Sequence, residues 1–215
     1  MRYIQKNFTP LSFIQKTHSL IKWDDYHNCC LGQKRALKKY ILKYEQNYLC
    51  IYCENKVNLN NSHIEHIKPK ARTKYPQFTF AYFNLAVSCN GTCNNLENDS
   101  TEYSCGHIKE NEYDDFKFLN PVQLKDIRDY FEYDIDEGKV QPSSKDIPKS
   151  IYMIDTLHLN DGRLPLARQK ALKNFIKKMK RIKDKNIRKE KTIEILNKED
   201  NTQISFLRFR FKNLL

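Results

Sequence analysis

Cys50-Ile51-Tyr52-Cys53, then His63-Ile64-Glu65-His66-Ile67-Lys68-Pro69, then Asn84-Leu85, and finally Cys89, Cys93 and Cys105 decide how this chain is to be read. A CxxC can present two thiolates to one metal ion from a single tight turn, and a structural tetrahedral site needs a second pair brought in by folding. Cys50 and Cys53 have the required spacing. Cys89, Cys93 and Cys105 offer three candidates for the two remaining places. Cys89 with Cys93 is the local choice, whereas Cys89 with Cys105 needs a long loop between ligands. A redox role for the CxxC is disfavoured, since no βαβ pattern surrounds it. Cys29 and Cys30 fall on the N-terminal helical stretch, where a place in the core is expected.

Working outward, Leu37, Tyr40, Ile41, Tyr44 and Tyr48 recur at three- and four-residue intervals, which predicts an amphipathic helix running up to the first cysteine pair. Asp24 or Asp25 is placed to cap it, and Pro10 breaks any earlier helix. Residues 57–68 read as a short hairpin arm with His66 near its end, and residues 84–89 as a second short strand. Between them, residues 72–82 are basic and aromatic, in a loop or short helix. Residues 90–103 are a polar loop. Cys105 opens the next element, and Asn120-Pro121 closes this middle region.

Phe131, Tyr133 and Ile135 alternate with Glu132, Asp134 and Asp136 before a Glu137-Gly138 turn, which predicts a β-hairpin ended by Pro142. From Leu164 onward, Leu172, Phe175, Ile176, Met179 and Ile182 keep helical period. Residues 193–215 read as another helical stretch, with Phe206, Leu207, Phe209 and Phe211 expected in the core. The predicted class is α+β. Its divisions are a helical segment at 1–48, the cysteine-framed core at 49–121, and a hairpin plus basic helical region at 122–215.

A chain of 215 residues with 40% hydrophobic and 30% charged content is expected to be globular and soluble. No apolar run is long enough to span a membrane, and the first residues carry no apolar signal core. A cytoplasmic location is therefore expected, and with it reduced cysteines that serve as metal ligands or buried thiols, not disulfides. The net charge is +12, and residues 168–191 alone hold twelve Lys/Arg against two acids. A basic stripe on a near-neutral body is the electrostatic footprint of a polyanion binder. No GxxxxGK[ST] loop occurs, so ATP hydrolysis by this chain is not expected.

The chemistry is expected at Glu65-His66. Phosphodiester hydrolysis needs a water made nucleophilic and a leaving oxygen stabilised. A neutral imidazole can take the proton, and a divalent ion held by a carboxylate can neutralise the developing charge. Adjacent strand residues face opposite ways, so a strand end or turn must re-aim the two side chains around one phosphate. Asn84 is suited to holding the histidine-bearing loop through its amide. Lys68, Lys70, Arg72 and Lys109 are the cations expected to meet nucleic acid.

Glu65-His66-Ile67-x-Pro69, Asn84-Leu85, Cys89 and Cys105-Gly106-x-x-Lys109, set in a CxxC frame, resemble the HNH endonucleases with their zinc-stapled ββα-metal core. A longer pattern adds Met1-Arg2-Tyr3-Ile4, Ser88-Cys89-Asn90, His107, Asn120-Pro121 and Leu157-x-Leu159-Asn160. It resembles the PtuB-like nuclease subunits of the Septu anti-phage system over most of the chain. The resemblance implies that His66 is the general base, Glu65 the first ligand of a catalytic Mg²⁺ or Mn²⁺, and Asn84 the central asparagine. It implies structural zinc on Cys50, Cys53, Cys89 and Cys105, with Cys93 an extra thiol. It also implies a nucleic-acid substrate, with DNA favoured, and a separate ABC/SMC-like ATPase partner of the PtuA-like kind. The chain departs from the pattern at the last position, where Gly106 stands in place of His or Asn. His107 is the first choice for that role, with His63 and Asn94 in reserve. A zinc-stabilised nucleic-acid-binding or scaffold module without catalysis is the alternative.

Overall fold

The computed structural model describes residues 1–71, 74–91, 103–161 and 163–215. Its element order is three helices, a β-arm, a short helix, a β-hairpin and four more helices, so the class is mixed α+β.

Pro10 does not merely interrupt the N-terminus. It stands immediately before helix α1 (Leu11–Thr17), where its missing N–H costs nothing. Helix α2 (Trp23–Cys29) follows, with the Asp25 carboxylate accepting from the Lys22 amide. Helix α3 (Leu31–Tyr44) buries Leu37, Ile41 and Leu42. It is shorter than the sequence period suggests, because Asn47 and Tyr48 both take positive φ and turn the chain into the cysteine knuckle. Cys29 and Cys30, at the α2–α3 junction, are joined by a disulfide. The expectation that no cysteine would be so paired therefore fails for this adjacent pair.

Strands β1 (Ser62–His66) and β2 (Leu85–Cys89) pair antiparallel, with Ser62 opposite Cys89, Glu65 opposite Ala86 and His66 opposite Leu85. Among the described residues, no third strand pairs with the far edge of β2. Instead the Gln46 side chain donates to the Val87 carbonyl at 2.8 Å and accepts from the Val87 amide at 2.7 Å. The Ile51 amide donates to the same carbonyl at 3.0 Å, which fastens the knuckle to the strand. Such satisfaction is required, because β2 is wholly buried. Helix α4 (Gly106–Lys109) packs on β2, its Gly106 amide donating to Ser88 Oγ at 3.1 Å.

Strands β3 (Phe131–Tyr133) and β4 (Val140–Pro142) form the second two-stranded sheet, with Pro142 inside its last pair. Helix α5 (Ile147–Thr156) is capped by Asp146. The long basic helix is in fact two. Helix α6 (Arg163–Lys180) stops, and Asp184 starts helix α7 (Lys185–Asn197) by accepting from the Asn186 and Ile187 amides. The last predicted helical stretch also divides, at Gln203 with φ +55, before helix α8 (Ile204–Arg210). A polar cap, Asp184, overrides hydrophobic period at the first break, and at the second the Gln203 amide donates to the distant Glu54 carbonyl at 3.0 Å.

One hydrophobic cluster draws on the N-terminal helices, both sheets, α5 and Phe206 of α8. A second joins Leu49 to Phe175, Met179, Leu196, Ile204 and Leu207.

Candidate active site

The knuckle forms because the chain turns back on itself within one CxxC. The Glu54 amide donates to the Cys50 carbonyl at 3.1 Å, and the Cys50 amide to the Asn55 carbonyl at 2.9 Å. The β1–β2 register then brings Cys89 alongside, its amide 3.3 Å from Cys50 Sγ. Cys105 arrives from the start of α4 with φ +62, its amide bonded to the Leu157 carbonyl at 2.9 Å. The four sulfur atoms of Cys50, Cys53, Cys89 and Cys105 lie within 4.8 Å of one another, all buried. Burial works against ionising Cys50, but hydrogen bonds from Cys105, Cys53 and Cys89 hold its thiol well below the ordinary range. Four buried sulfur donors at this spacing could hold a metal ion. Cys93 lies outside the described residues, as do Asn94 and Arg72.

Glu65 and His66 leave β1 on opposite sides, as strand geometry requires. Glu65 is nearly enclosed. Its Oε1 accepts from Tyr52 Oη at 3.0 Å and lies 3.1 Å from Lys109 Nζ, and its Oε2 lies 3.4 Å from His63 Nε2. Burial alone would raise the Glu65 carboxyl, but the Lys109 ammonium and His63 hold it below the usual carboxylate range. Burial and Glu65 together push the Tyr52 phenol far up, so it stays a donor. Lys109 presents no surface to solvent. Its ammonium also reaches the His66 carbonyl at 3.3 Å. A lysine so placed charges the site from beneath and has no exposed atoms with which to meet a phosphate.

On the other side, the His66 ring sits edge-on to Trp23 with centroids 4.5 Å apart, and its Nε2 lies 3.0 Å from the Thr79 carbonyl. A carbonyl only accepts, so Nε2 carries the proton and Nδ1 is left basic. Burial lowers the imidazole to about 4, so it is neutral near pH 7. Asn84, the residue before β2, clamps the exit of β1. Its Oδ1 accepts from the Lys68 amide at 2.7 Å, and its Nδ2 donates to the carbonyls of Lys68 and Phe78 at 2.9 and 3.1 Å.

His107 is exposed on α4, its ring centroid 4.3 Å from that of Tyr103. Among the described residues, no three His, Cys, Asp or Glu side chains other than the four cysteines cluster at metal-binding distance. Gly106 is buried against Glu65 and His63. A Cβ there would fall 2.8 Å from Glu65 Cδ and 3.1 Å from His63 Nε2. Lys68 is ion-paired with Asp115 and faces the rings of Tyr75, Phe78 and Tyr113, whereas Lys70 is exposed beside Trp23 and Thr79.

Sequence reasoning missed the cations of α3. Lys34, Arg35 and Lys38 line an open groove with Ser62, His63 and Ile64, along β1. Their spacing of one helical turn was the available signal, but only folding shows which strand they flank. The first cation of the basic stripe proves internal: Arg168 donates to the carbonyls of Gly138 and Leu159 at 2.9 and 2.8 Å.

The chain is 32% identical over 136 residues to a Vibrio cholerae serotype O1 biovar El Tor protein named "Retron Vc95 putative HNH endonuclease". It is 28% identical over 186 residues to an Escherichia coli protein named "Retron Ec83 putative HNH endonuclease". The first alignment covers 61% of each chain and the second 71%. The chain thus spans about three fifths of the length of the first relative. No family model matches it. No helix among the described residues is long and apolar enough to cross a membrane.

Proposed function

We propose that this chain is a metal-dependent HNH endonuclease in which β1, β2 and α4 are the ββα-metal core. The observation that carries the reading is the setting of His66. Its tautomer is fixed by the Thr79 carbonyl, its strand exit is clamped by Asn84, and an ionised carboxylate precedes it. The names of the two relatives support the same reaction class.

In this mechanism His66 Nδ1 takes a proton from water. The water oxygen bonds to phosphorus as the P–O3′ bond breaks, and the electron pair leaves on the 3′ oxygen. Glu65 stays ionised because Lys109 and His63 face it, and it would be the first ligand for a divalent ion. Mg²⁺ or Mn²⁺, when bound, supplies charge to the phosphate and the leaving oxygen. Tyr52 and Lys109 orient Glu65, and Asn84 orients the backbone that follows His66. Cys50, Cys53, Cys89 and Cys105 fit structural zinc, because four buried thiolates are the donor set that ion prefers.

The substrate is nucleic acid, with DNA favoured. Lys34 and Arg35 beside β1, and Lys68, Lys70 and Arg72 after it, are the candidate phosphate contacts. The exposed lysines of α6 and α7 add a second basic face. We further propose a role in anti-phage defence beside a separate ABC/SMC-like ATPase, as the resemblance to PtuB-like nucleases implies. The retron names of the relatives support a defence setting without specifying that partner.

The test is plasmid cleavage in Mg²⁺ or Mn²⁺, with and without the proposed ATPase partner, comparing wild type with His66→Ala. Nicking by wild type alone, with equal zinc in both proteins, is the expected result. Equal behaviour of the two proteins, both zinc-loaded, would assign the chain to a non-catalytic nucleic-acid-binding or scaffold module.

A further inference from the structure

We infer that His63 is the second protein ligand to the divalent cation on Glu65, occupying the room that Gly106 leaves open. The inference rests on the endonuclease reading and names a residue of its site.

Strand alternation puts His63 and Glu65 on the same side of β1, opposite to His66. Asn90 Oδ1 lies 3.4 Å from His63 Nδ1. With Nδ1 turned to that amide, Nε2 is the ring nitrogen turned to Glu65. That nitrogen stands 3.4 Å from Glu65 Oε2, itself an acceptor. A separation of this size leaves both atoms able to ligate one divalent ion.

Two features favour a metal between them. The pair is one-sided in exposure, with Glu65 enclosed and the His63 side chain 34% exposed, so an ion has a route from solvent. The groove beside His63 carries Lys34 and Arg35, which suit a phosphate arriving with that ion. Gly106 completes the argument. Any side chain there would meet Glu65 and Nε2 of His63, so His63 fills the space that a residue at 106 would otherwise use. His107, packed on Tyr103, forms no cluster with them.

The experiment is Mn²⁺ titration of the zinc-loaded protein, followed by electron spin-echo measurement of ¹⁴N coupling from a directly bound imidazole. Wild type should show the coupling. His63→Asn and His63→Gln should lose it and bind Mn²⁺ at least about tenfold more weakly, the smallest effect usual for altering a metal site. His107→Ala should keep both. Zinc content and thermal transition establish that each variant is folded. Coupling that persists without His63, coupling that vanishes with His107, or Mn²⁺ binding without nitrogen coupling in wild type would each overturn the inference, as would no Mn²⁺ binding at all. Its failure is separable from that of the nuclease reading. Cleavage that depends on His66 without coupling from His63 sinks only the ligand assignment. Coupling from His63 in a protein that never cleaves sinks only the catalysis.

Discussion

Gly106→Ala adds a single methyl group where the structure has no room for it. The backbone does not forbid the change, because Gly106 lies outside the positive-φ region. On backbone grounds alone, restricting the unfolded chain would stabilise the protein by about 0.4–1 kcal/mol. The new Cβ, however, falls 2.8 Å from Glu65 Cδ. That carboxylate cannot swing aside freely, since Tyr52 and Lys109 hold its other oxygen at 3.0 and 3.1 Å. Overpacking costs about 1–3 kcal/mol, and weakening one charged hydrogen bond costs about 1.5–3 kcal/mol. The balance is a destabilisation of about 1.5–5.5 kcal/mol, which at ~2–4 °C per kcal/mol is a fall in Tm of at least about 3 °C. Gly32→Ala is the internal control. It lies in α3 with nothing within 4 Å of the added carbon, so it should stabilise by about 0.5 kcal/mol. Urea midpoints of the two variants, with Mn²⁺ affinity for each, read the difference directly. If Gly106→Ala gains stability as Gly32→Ala does and keeps its affinity, the carboxylate is not fixed as described and the reasoning is refuted.

Cys89→Ser should release the bound zinc, and urea unfolding should show a loss of at least several kcal/mol, since folding and metal binding are one process at such sites. A variant retaining one zinc per chain and its midpoint would contradict the four-sulfur site. Asn84→Asp replaces two amide donations to carbonyls by repulsion and should destabilise by about 2–4 kcal/mol while lowering cleavage; an unchanged midpoint would count against the clamp. His66 also predicts a pH effect. Its imidazole is at about 4 when folded against 6.5 as its ordinary value, so the unfolded chain gains a proton first as pH falls. Its contribution is therefore complete above about 6.5 and is lost between there and 4, by about 3 kcal/mol. His63 acts oppositely, because Glu65 raises it. The measurement is thus the difference between wild type and His66→Asn at pH 7 and pH 4.5, and an identical acid slope in the two would exclude it.

Much of the site was legible because it is written locally. The CxxC, the strand ending at His66 and the asparagine before β2 each announce themselves within a few residues. What the sequence left open was set by distant contacts. The pairing of Cys105 with the knuckle depends on the β1–β2 register and on the Leu157 carbonyl. Lys109 reads as a surface cation, and only packing shows that it lies beneath Glu65. The two helix breaks were hidden because hydrophobic period continues across Asp184 and Gln203; local bonds of Asp184 set the first, and bonds from Gln203 to the distant Glu54 and Asn55 hold the second. Gln46, which stands in for a third strand, has no sequence signature, because a glutamine near a helix end ordinarily means nothing.

The knuckle is also held from behind. Glu54, the residue after Cys53, accepts from the Ser205 amide and hydroxyl at 2.7 and 2.6 Å, and its carbonyl receives the Gln203 amide at 3.0 Å. Leu49, the residue before Cys50, belongs to the hydrophobic cluster of α6, α7 and α8. The cysteine site is therefore not a portable cassette. Cut out between residues 49 and 121, it would carry an orphaned buried carboxylate and a bare leucine flanking its own metal ligands. Anyone transplanting this candidate unit onto another scaffold must bring α8 with it or rebuild both of those neighbours.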